Sequence, residues 1–380
     1  MDVPGPLRRL GPRPLWLHLM LATLPLSTWH DVLKNWSAGS QQPPDPGASL
    51  TPDPALIAGV AAYRRHPWQR TLADPPVVWS EGSSRLLDYG PRDGVPVLVV
   101  PSLVNRSYVL DLLPDHSMLR FLASQGVRPL LLDWGHPGEI ERGFSLSDYI
   151  AGRLDRALLA TCTWVQAPQV ALMGYCMGGL MAVAAAQARP DRIARVSLLA
   201  TPWDFWAAGE RQARDLAALL PGLEPAFAFG GALPVDSLQT MFSLLDPGSV
   251  ADKYRDFGRQ DQASDRARQF VALEDWLNDG IPLAAQVARE TLGGWYGGNT
   301  PARGQWRVLG LPVEPTTLRM PCFVAAPGRD KIVPPESAIA LVASIPGAIL
   351  HMPAAGHIGM VAGSGAQRAL WDQLAAWLRP

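Results

Sequence analysis

Short apolar runs closed by Gly, Pro or Asp recur through the chain, and stretches of helical spacing separate them. Val97-Leu98-Val99-Val100, Arg128-Pro129-Leu130-Leu131-Leu132-Asp133, Val170-Ala171-Leu172-Met173 and Ala194-Arg195-Val196-Ser197-Leu198-Leu199 are too short for helices and read as buried strands. Before them, Val77-Val78-Trp79 and Arg85 to Tyr89 flank the turn-like Glu81-Gly82-Ser83-Ser84 and predict a hairpin. Met118 to Ser124, Leu146 to Val165 and Ala182 to Ala188 supply the intervening helices. Strand, helix, strand in this order predicts a mostly parallel sheet covered on both faces. From Thr201 to about Leu318 the rhythm changes to helical Ala and Leu patterns, including Arg214 to Leu220 and Phe270 to Trp276. The sheet then resumes at Cys322-Phe323-Val324-Ala325-Ala326 and Ala348-Ile349-Leu350-His351, and Ala366 to Leu378 reads as a closing helix.

This pattern divides the chain into a helical or partly ordered extension over residues 1–70, an α/β core over 71–200 and 319–380, and an insertion over 201–318. An insertion at that point is expected to lie over the carboxyl ends of the strands as a mainly helical cap that controls access of water and substrate. Within the extension, Leu15 to Leu26 is apolar but interrupted by His18 and Pro25 and too short to span a bilayer. A helix packed on the protein's own surface is the first expectation for it, ahead of a lipid-granule contact or an export signal. Residues 40–55, with Pro43, Pro44, Pro46 and Pro54, read as a linker.

Composition narrows the function. A chain of 380 residues that is 48% apolar can bury a large core, as one domain with an insertion or as two domains. The balance of 33 basic and 34 acidic residues leaves no global field to recruit nucleic acid or an anionic membrane. Three widely spaced cysteines, 162, 176 and 322, without a C-x-x-C pair, point to a reducing compartment and away from disulfides and cysteine metal sites. Gly230-Gly231 lacks the Lys-Ser/Thr sequel of a phosphate loop.

The candidate chemistry lies at Gly174-Tyr175-Cys176-Met177-Gly178-Gly179, directly after an apolar strand. Small residues two before and two after Cys176 permit a sharp strand-to-helix turn that exposes a nucleophile, with the Met177 N–H placed to hold an oxyanion. Asp330 and His357 each follow a later predicted strand. The order Cys, Asp, His is the α/β-hydrolase order, so the predicted fold is an α/β-hydrolase with a mostly parallel central sheet and a large helical cap. In this reading Cys176 is the nucleophile, His357 its base and Asp330 the group that orients His357. A second oxyanion donor is expected from Pro101-Ser102-Leu103-Val104-Asn105-Arg106, with Val104 N–H preferred over Leu103. Asp133 and His136 are expected to set a loop rather than move protons, Cys162 to be a core residue, and Cys322, at the opposite end of its strand from Asp330, to lie away from the acyl site. Trp276 and Asp279, in the cap, suit either an acyl channel or a helix end and core. No resident cofactor or metal is expected.

Several of these segments together resemble the polyhydroxyalkanoate synthase family, especially its shorter form. They are Pro101-Ser102-Leu103-Val104-Asn105-Arg106-Ser107-Tyr108-Val109-Leu110-Asp111-Leu112, Asp133-Trp134-Gly135, the cysteine elbow, Gly356-His357-Ile358 and Phe270-Val271-Ala272-Leu273-Glu274-Asp275-Trp276. The resemblance covers roughly residues 75–380. It implies that Cys176 takes a 3-hydroxyacyl group from coenzyme A and extends a polyester, with His357 as base. It further implies that Asp330 orients His357 or activates the accepting hydroxyl, and that coenzyme A is the substrate's leaving group. A second copy or a synthase partner subunit, and a polymer-granule surface in the cytoplasm, are the partners implied. The family usually carries a histidine after its catalytic aspartate, whereas Lys331 follows Asp330 here. Cysteine-dependent thioesterase or esterase chemistry is the alternative, since the same triad hydrolyses if water reaches the acyl enzyme.

Overall fold

The strand-helix alternation assembles into one eight-stranded sheet. The computed structural model describes residues 9–21, 53–243 and 247–379. In chain order the strands are β1 (Val77–Glu81), β2 (Ser84–Asp88), β3 (Val95–Val100), β4 (Val127–Asp133), β5 (Val170–Tyr175), β6 (Ile193–Leu199), β7 (Cys322–Ala325) and β8 (Ile349–His351). Their spatial order is β1-β2-β4-β3-β5-β6-β7-β8. β2 is antiparallel to both β1 and β4, and every pairing from β4 to β8 is parallel.

The central strands are apolar because both of their faces are covered. Val97, Leu98, Val99 and Val100 of β3 are all 0% exposed, and full burial of such side chains contributes roughly 1.5–3 kcal/mol each. Pro96 is tolerated near the start of β3, opposite Arg128 of β4. Helix Met118–Ser124 precedes β4, and its Ser117 cap accepts the Arg120 N–H at 3.1 Å. The run before β5 is a π-helical turn, Asp148–Leu154, continuing as helix Asp155–Val165. The closing helix has the same construction, Gln367–Trp371 followed by Asp372–Leu378. Helix Met177–Ala188 begins one residue after the cysteine, and its residues Met177 to Ala186 are all buried.

The chain divides into two compact units: Leu72–Val235 with Gly280–Pro380 carries the sheet, and the described part of Met1–Thr71 joins Asp236–Asp279. Residues 201–235 and 280–318 of the expected insertion therefore belong to the sheet unit, and 236–279 to the other. In the second unit, helices Pro54–Arg65 and Pro247–Arg259 approach so closely that a Cβ on Gly59 would lie 1.8 Å from the Tyr254 carbonyl oxygen. Leu56, Tyr63, Tyr254, Phe257 and Val271 form its core, with Phe257 and Phe270 stacked at 4.2 Å. Asp53 and Ser264 cap helices Pro54–Arg65 and Asp265–Asn278. The apolar segment from Leu15 is helical through Leu21, and its remainder, like the linker expected at 40–55 before Asp53, lies outside the described residues. Among the described residues no helix is long and apolar enough to cross a membrane.

Candidate active site

β5 ends on Tyr175, and Cys176 turns the chain into the following helix with φ 55° and ψ −127°. Such a conformation costs a non-glycine residue on the order of 1–3 kcal/mol, so its surroundings must enforce it. They do so through two backbone bonds: Cys176 N–H donates to the Leu199 carbonyl at 2.8 Å, and Gly179 N–H donates to the Cys176 carbonyl at 2.9 Å. The glycines make room. A Cβ on Gly178 would lie 2.1 Å from the Val100 oxygen, and one on Gly174 would lie 2.5 Å from Gly179 Cα. Strand β3, strand β5 and the helix thus meet closely enough to present the thiol at the strand ends, and Cys176 stays partly exposed. The Met177 N–H, in the first turn of the helix, has no acceptor within that helix.

Asp330 and His357 are buried, and the loops after β7 and β8 bring them together. The Asp330 carboxylate is fully employed: Oδ1 accepts Ile332 N–H at 2.8 Å and Val333 N–H at 2.9 Å, and Oδ2 receives His357 Nδ1–H at 2.7 Å. With Nδ1 committed, the hydrogen bond between His357 and Cys176 falls to the other ring nitrogen. Burial alone would lower the histidine's pKa. The Cys176 charge, the hydrogen bonds to Asp330 and Cys176, and the Asp330 charge outweigh it and push His357 up to about 10. The imidazolium is therefore the favoured form beside the Cys176 sulfur.

Tyr175 braces the histidine. Its ring lies 5.2 Å from that of His357, and its hydroxyl donates to the His357 carbonyl at 3.3 Å. Burial, then the charges of Cys176 and Asp330, hold its phenol well above the usual range and hence protonated. Support of Asp330 comes from backbone N–H groups and not from the residue after it, so the exposed Lys331 leaves that carboxylate fully bonded.

On the oxyanion side, Val104 N–H donates to Ser102 Oγ at 3.0 Å, and Leu103 is buried. Asp133 is tied to Arg85 at 2.7 Å and receives Ser107 Oγ–H at 3.2 Å and Gly135 N–H at 3.3 Å, so it sets the loop after β4, while His136 is exposed. Cys162 and Cys322 are buried, with burial raising both thiols, Cys322 to about 11. Trp276 is buried in helix Asp265–Asn278 of the second unit, and Asp279 closes that helix with an N–H to the Asp275 carbonyl. No group of His, Cys, Asp and Glu side chains among the described residues is arranged to hold a metal ion. Sequence reasoning missed the engagement of Val104 by Ser102 and the bracing of His357 by Tyr175. A serine two residues before the expected donor was the one legible signal for the first; ring packing leaves none.

Residues 95–363 match the α/β-hydrolase fold family. The poly(3-hydroxyalkanoate) polymerase subunit PhaC of Synechocystis sp. is 30% identical over 295 residues, which cover 75% of this chain and 77% of that protein. This chain belongs to the polyhydroxyalkanoate synthase family of the α/β-hydrolase superfamily. The subunit from Haloferax mediterranei is likewise 30% identical, over 79% of this chain and 63% of its own longer sequence. That from Thiocystis violacea is 28% identical over 79% of this chain and 86% of its own. Among solved structures, one reported for carboxylesterases of the ammonia-oxidizing thaumarchaeon Nitrososphaera gargenis matches with a TM-score of 0.51 and 12% identity, covering 80% of this chain and 97% of that one. That likeness concerns the fold alone.

Proposed function

We propose that this family member is an acyltransferase in which Cys176 accepts a 3-hydroxyacyl group from a coenzyme A thioester and passes it to the hydroxyl end of a growing polyester. The observation that carries the reading is a cysteine on the strained elbow, hydrogen-bonded to a histidine whose other nitrogen is held by a saturated aspartate. A thioester exchanges with an enzyme thiol at little thermodynamic cost, and His357 delivers a proton to the departing coenzyme A sulfur. In deacylation the same imidazole, now neutral, removes the proton of the attacking hydroxyl, and Asp330 fixes the tautomer that can do so. The Met177 N–H is one oxyanion donor. Val104 N–H is the second, on exchanging Ser102 Oγ for the substrate oxygen. The insertion segments 201–235 and 280–318, which share the unit of the sheet, act as the cap that favours alcohol over water. A synthase partner subunit or a second copy, at the surface of a cytoplasmic polymer granule, completes the proposed setting.

The deciding experiment supplies 3-hydroxyacyl-CoA and quantifies released coenzyme A and ester product together. Polyester in proportion to coenzyme A is expected; coenzyme A accompanied only by free monomeric acid would replace the synthase with a thioesterase.

A further inference from the structure

The loop that follows β3 is pinned at both ends. At its start Val100 pairs with Gly174 of β5, and a Cβ on Gly178 would lie 2.6 Å from the Pro101 carbonyl oxygen, so the loop leaves the sheet against the first turn of the helix that Cys176 opens. Trp134 Nε1–H donates to that same carbonyl at 3.0 Å. The indole is buried and meets the Tyr149 ring edge to face at 5.5 Å, which fixes the donor. At the far end Ser107 Oγ–H donates to Asp133 Oδ1 at 3.2 Å, and Asp133 is itself held by Arg85 at 2.7 Å. Between the two pins the chain turns through Asn105, whose φ is 64°.

Within that span the half-buried Val104 spends its N–H locally, on Ser102 Oγ two residues back, at 3.0 Å. The bond joins two neutral groups, and rotation of one serine side chain about its Cα–Cβ bond breaks it without moving the pinned backbone. A neutral thioester carbonyl gains little by displacing the serine oxygen, because one neutral acceptor replaces another. An oxyanion does gain, since a charge-assisted N–H···O⁻ bond is roughly twice as strong as a neutral one. The exchange of acceptors therefore favours the transition state over the bound substrate.

We propose that Ser102 is a positioning residue that latches the oxyanion site: its Oγ occupies the Val104 N–H in the resting enzyme and yields it to the substrate oxygen as negative charge develops there. The inference rests on Cys176 being the nucleophile and Val104 N–H the second oxyanion donor. As the Cys176 Sγ–carbon bond forms, with the thiol proton on His357, the carbonyl π pair moves onto oxygen. Ser102 rotates away, and the oxyanion is held by Met177 N–H and Val104 N–H without proton transfer. The electron pair then returns, the carbon–sulfur bond to coenzyme A breaks, the leaving thiolate takes the proton of the His357 imidazolium, and Ser102 closes on Val104 again.

The test is the rate of the coenzyme A burst in the full chain after mixing with 3-hydroxyacyl-CoA. Ser102→Ala removes the competing oxygen, so the burst should speed up about 2- to 10-fold, the net worth of one neutral hydrogen bond. Ser102→Thr restores an oxygen and should bring the rate back near wild type. Alkylation of Cys176 by iodoacetamide develops no oxyanion and should proceed equally in all three proteins. Hydrogen exchange of the Val104 amide, followed by NMR in protein carrying isotopically labelled valine, reads the latch directly: it should quicken in Ser102→Ala and slow again in Ser102→Thr. A burst that is unchanged or slower in a folded Ser102→Ala variant, or a Val104 amide that exchanges there as in the wild type, would overturn the inference. If the amide responds and the burst does not, the failure lies in Val104 as donor. Coenzyme A release by a folded Cys176→Ala variant would instead overturn the underlying assignment of the nucleophile.

Discussion

Two clusters of buried ionisable groups can be compared, one in each unit. In the helical unit, Asp275 receives Arg9 on both oxygens, at 2.5 and 2.6 Å, and Tyr63 O–H at 2.8 Å. Its neighbour Glu274 receives Lys253 at 2.7 Å and Tyr254 O–H at 2.6 Å. Burial, reinforced by these carboxylates, holds both phenols protonated. Each acid is matched by donors on neighbouring elements, so the cluster ties residues 9–66 to helices Pro247–Arg259 and Asp265–Asn278. In the sheet unit the chain of bonds runs from the Ile332 and Val333 amides through Asp330 and His357 and stops at Cys176. Burial of charge is common to both clusters. The difference is that one closes on itself, and the other ends in a partly exposed, strained cysteine. A closed cluster stabilises, whereas an open one is available for chemistry.

The largest expected effect is at the open end. Cys176→Ala should abolish acyl-enzyme formation, read by mass spectrometry after a substrate pulse, with a melting temperature close to wild type. A folded variant that still turns over would remove the contrast between the clusters. Next, His357→Ala should slow the coenzyme A burst by about 10²–10⁴-fold through loss of acid-base assistance.

In the closed cluster the expected loss is stability. Arg9 is 7% and Asp275 28% exposed at the side chain, so Arg9→Ala should cost about 3 kcal/mol by leaving a partly buried carboxylate short of its charge partner. Hydrogen exchange in helices Pro54–Arg65 and Asp265–Asn278 should report it as lost protection; unchanged protection would show that the ion pair carries no structure.

A finer test is the His357 titration followed by NMR. Its raised pKa means that the linked stabilisation is full below about 6.5 and is lost as pH rises through about 10. Both Cys176→Ala and Asp330→Asn should bring the titration down, the cysteine change more, because its charge is the largest raising influence. The reverse order would place the main support of the imidazolium on Asp330. The smallest effect is expected at Lys331→Ala, within about 0.5 kcal/mol and with an unaltered burst, since Asp330 draws its local bonds from backbone amides.

The strand rhythm, the glycines around Cys176 and the order of Cys176, Asp330 and His357 were legible along the chain because each is local. An apolar run of fixed length makes a strand, and a Gly-x-Cys-x-Gly spacing leaves space only where a helix must touch two strands. The support of Asp330 by the amides of the next two residues but one is local too, yet it was hidden because backbone donors carry no side-chain signature. Other features depended on residues far apart in sequence. The Phe270 to Trp276 segment reads as part of an insertion, but Arg9 and Tyr63 bind Asp275, so its helix packs with residues more than two hundred positions earlier. Likewise nothing along the chain marks Asn299 until its side chain binds Asp204 and the Phe205 N–H, more than ninety positions earlier. Sequence by itself determined the kind of fold and the candidate nucleophile, because periodicity and turn sterics act over a few residues. Only tertiary structure decided which donors are already engaged, which acids are saturated and which ring braces His357, because hydrogen-bond partners are chosen by packing across the whole chain.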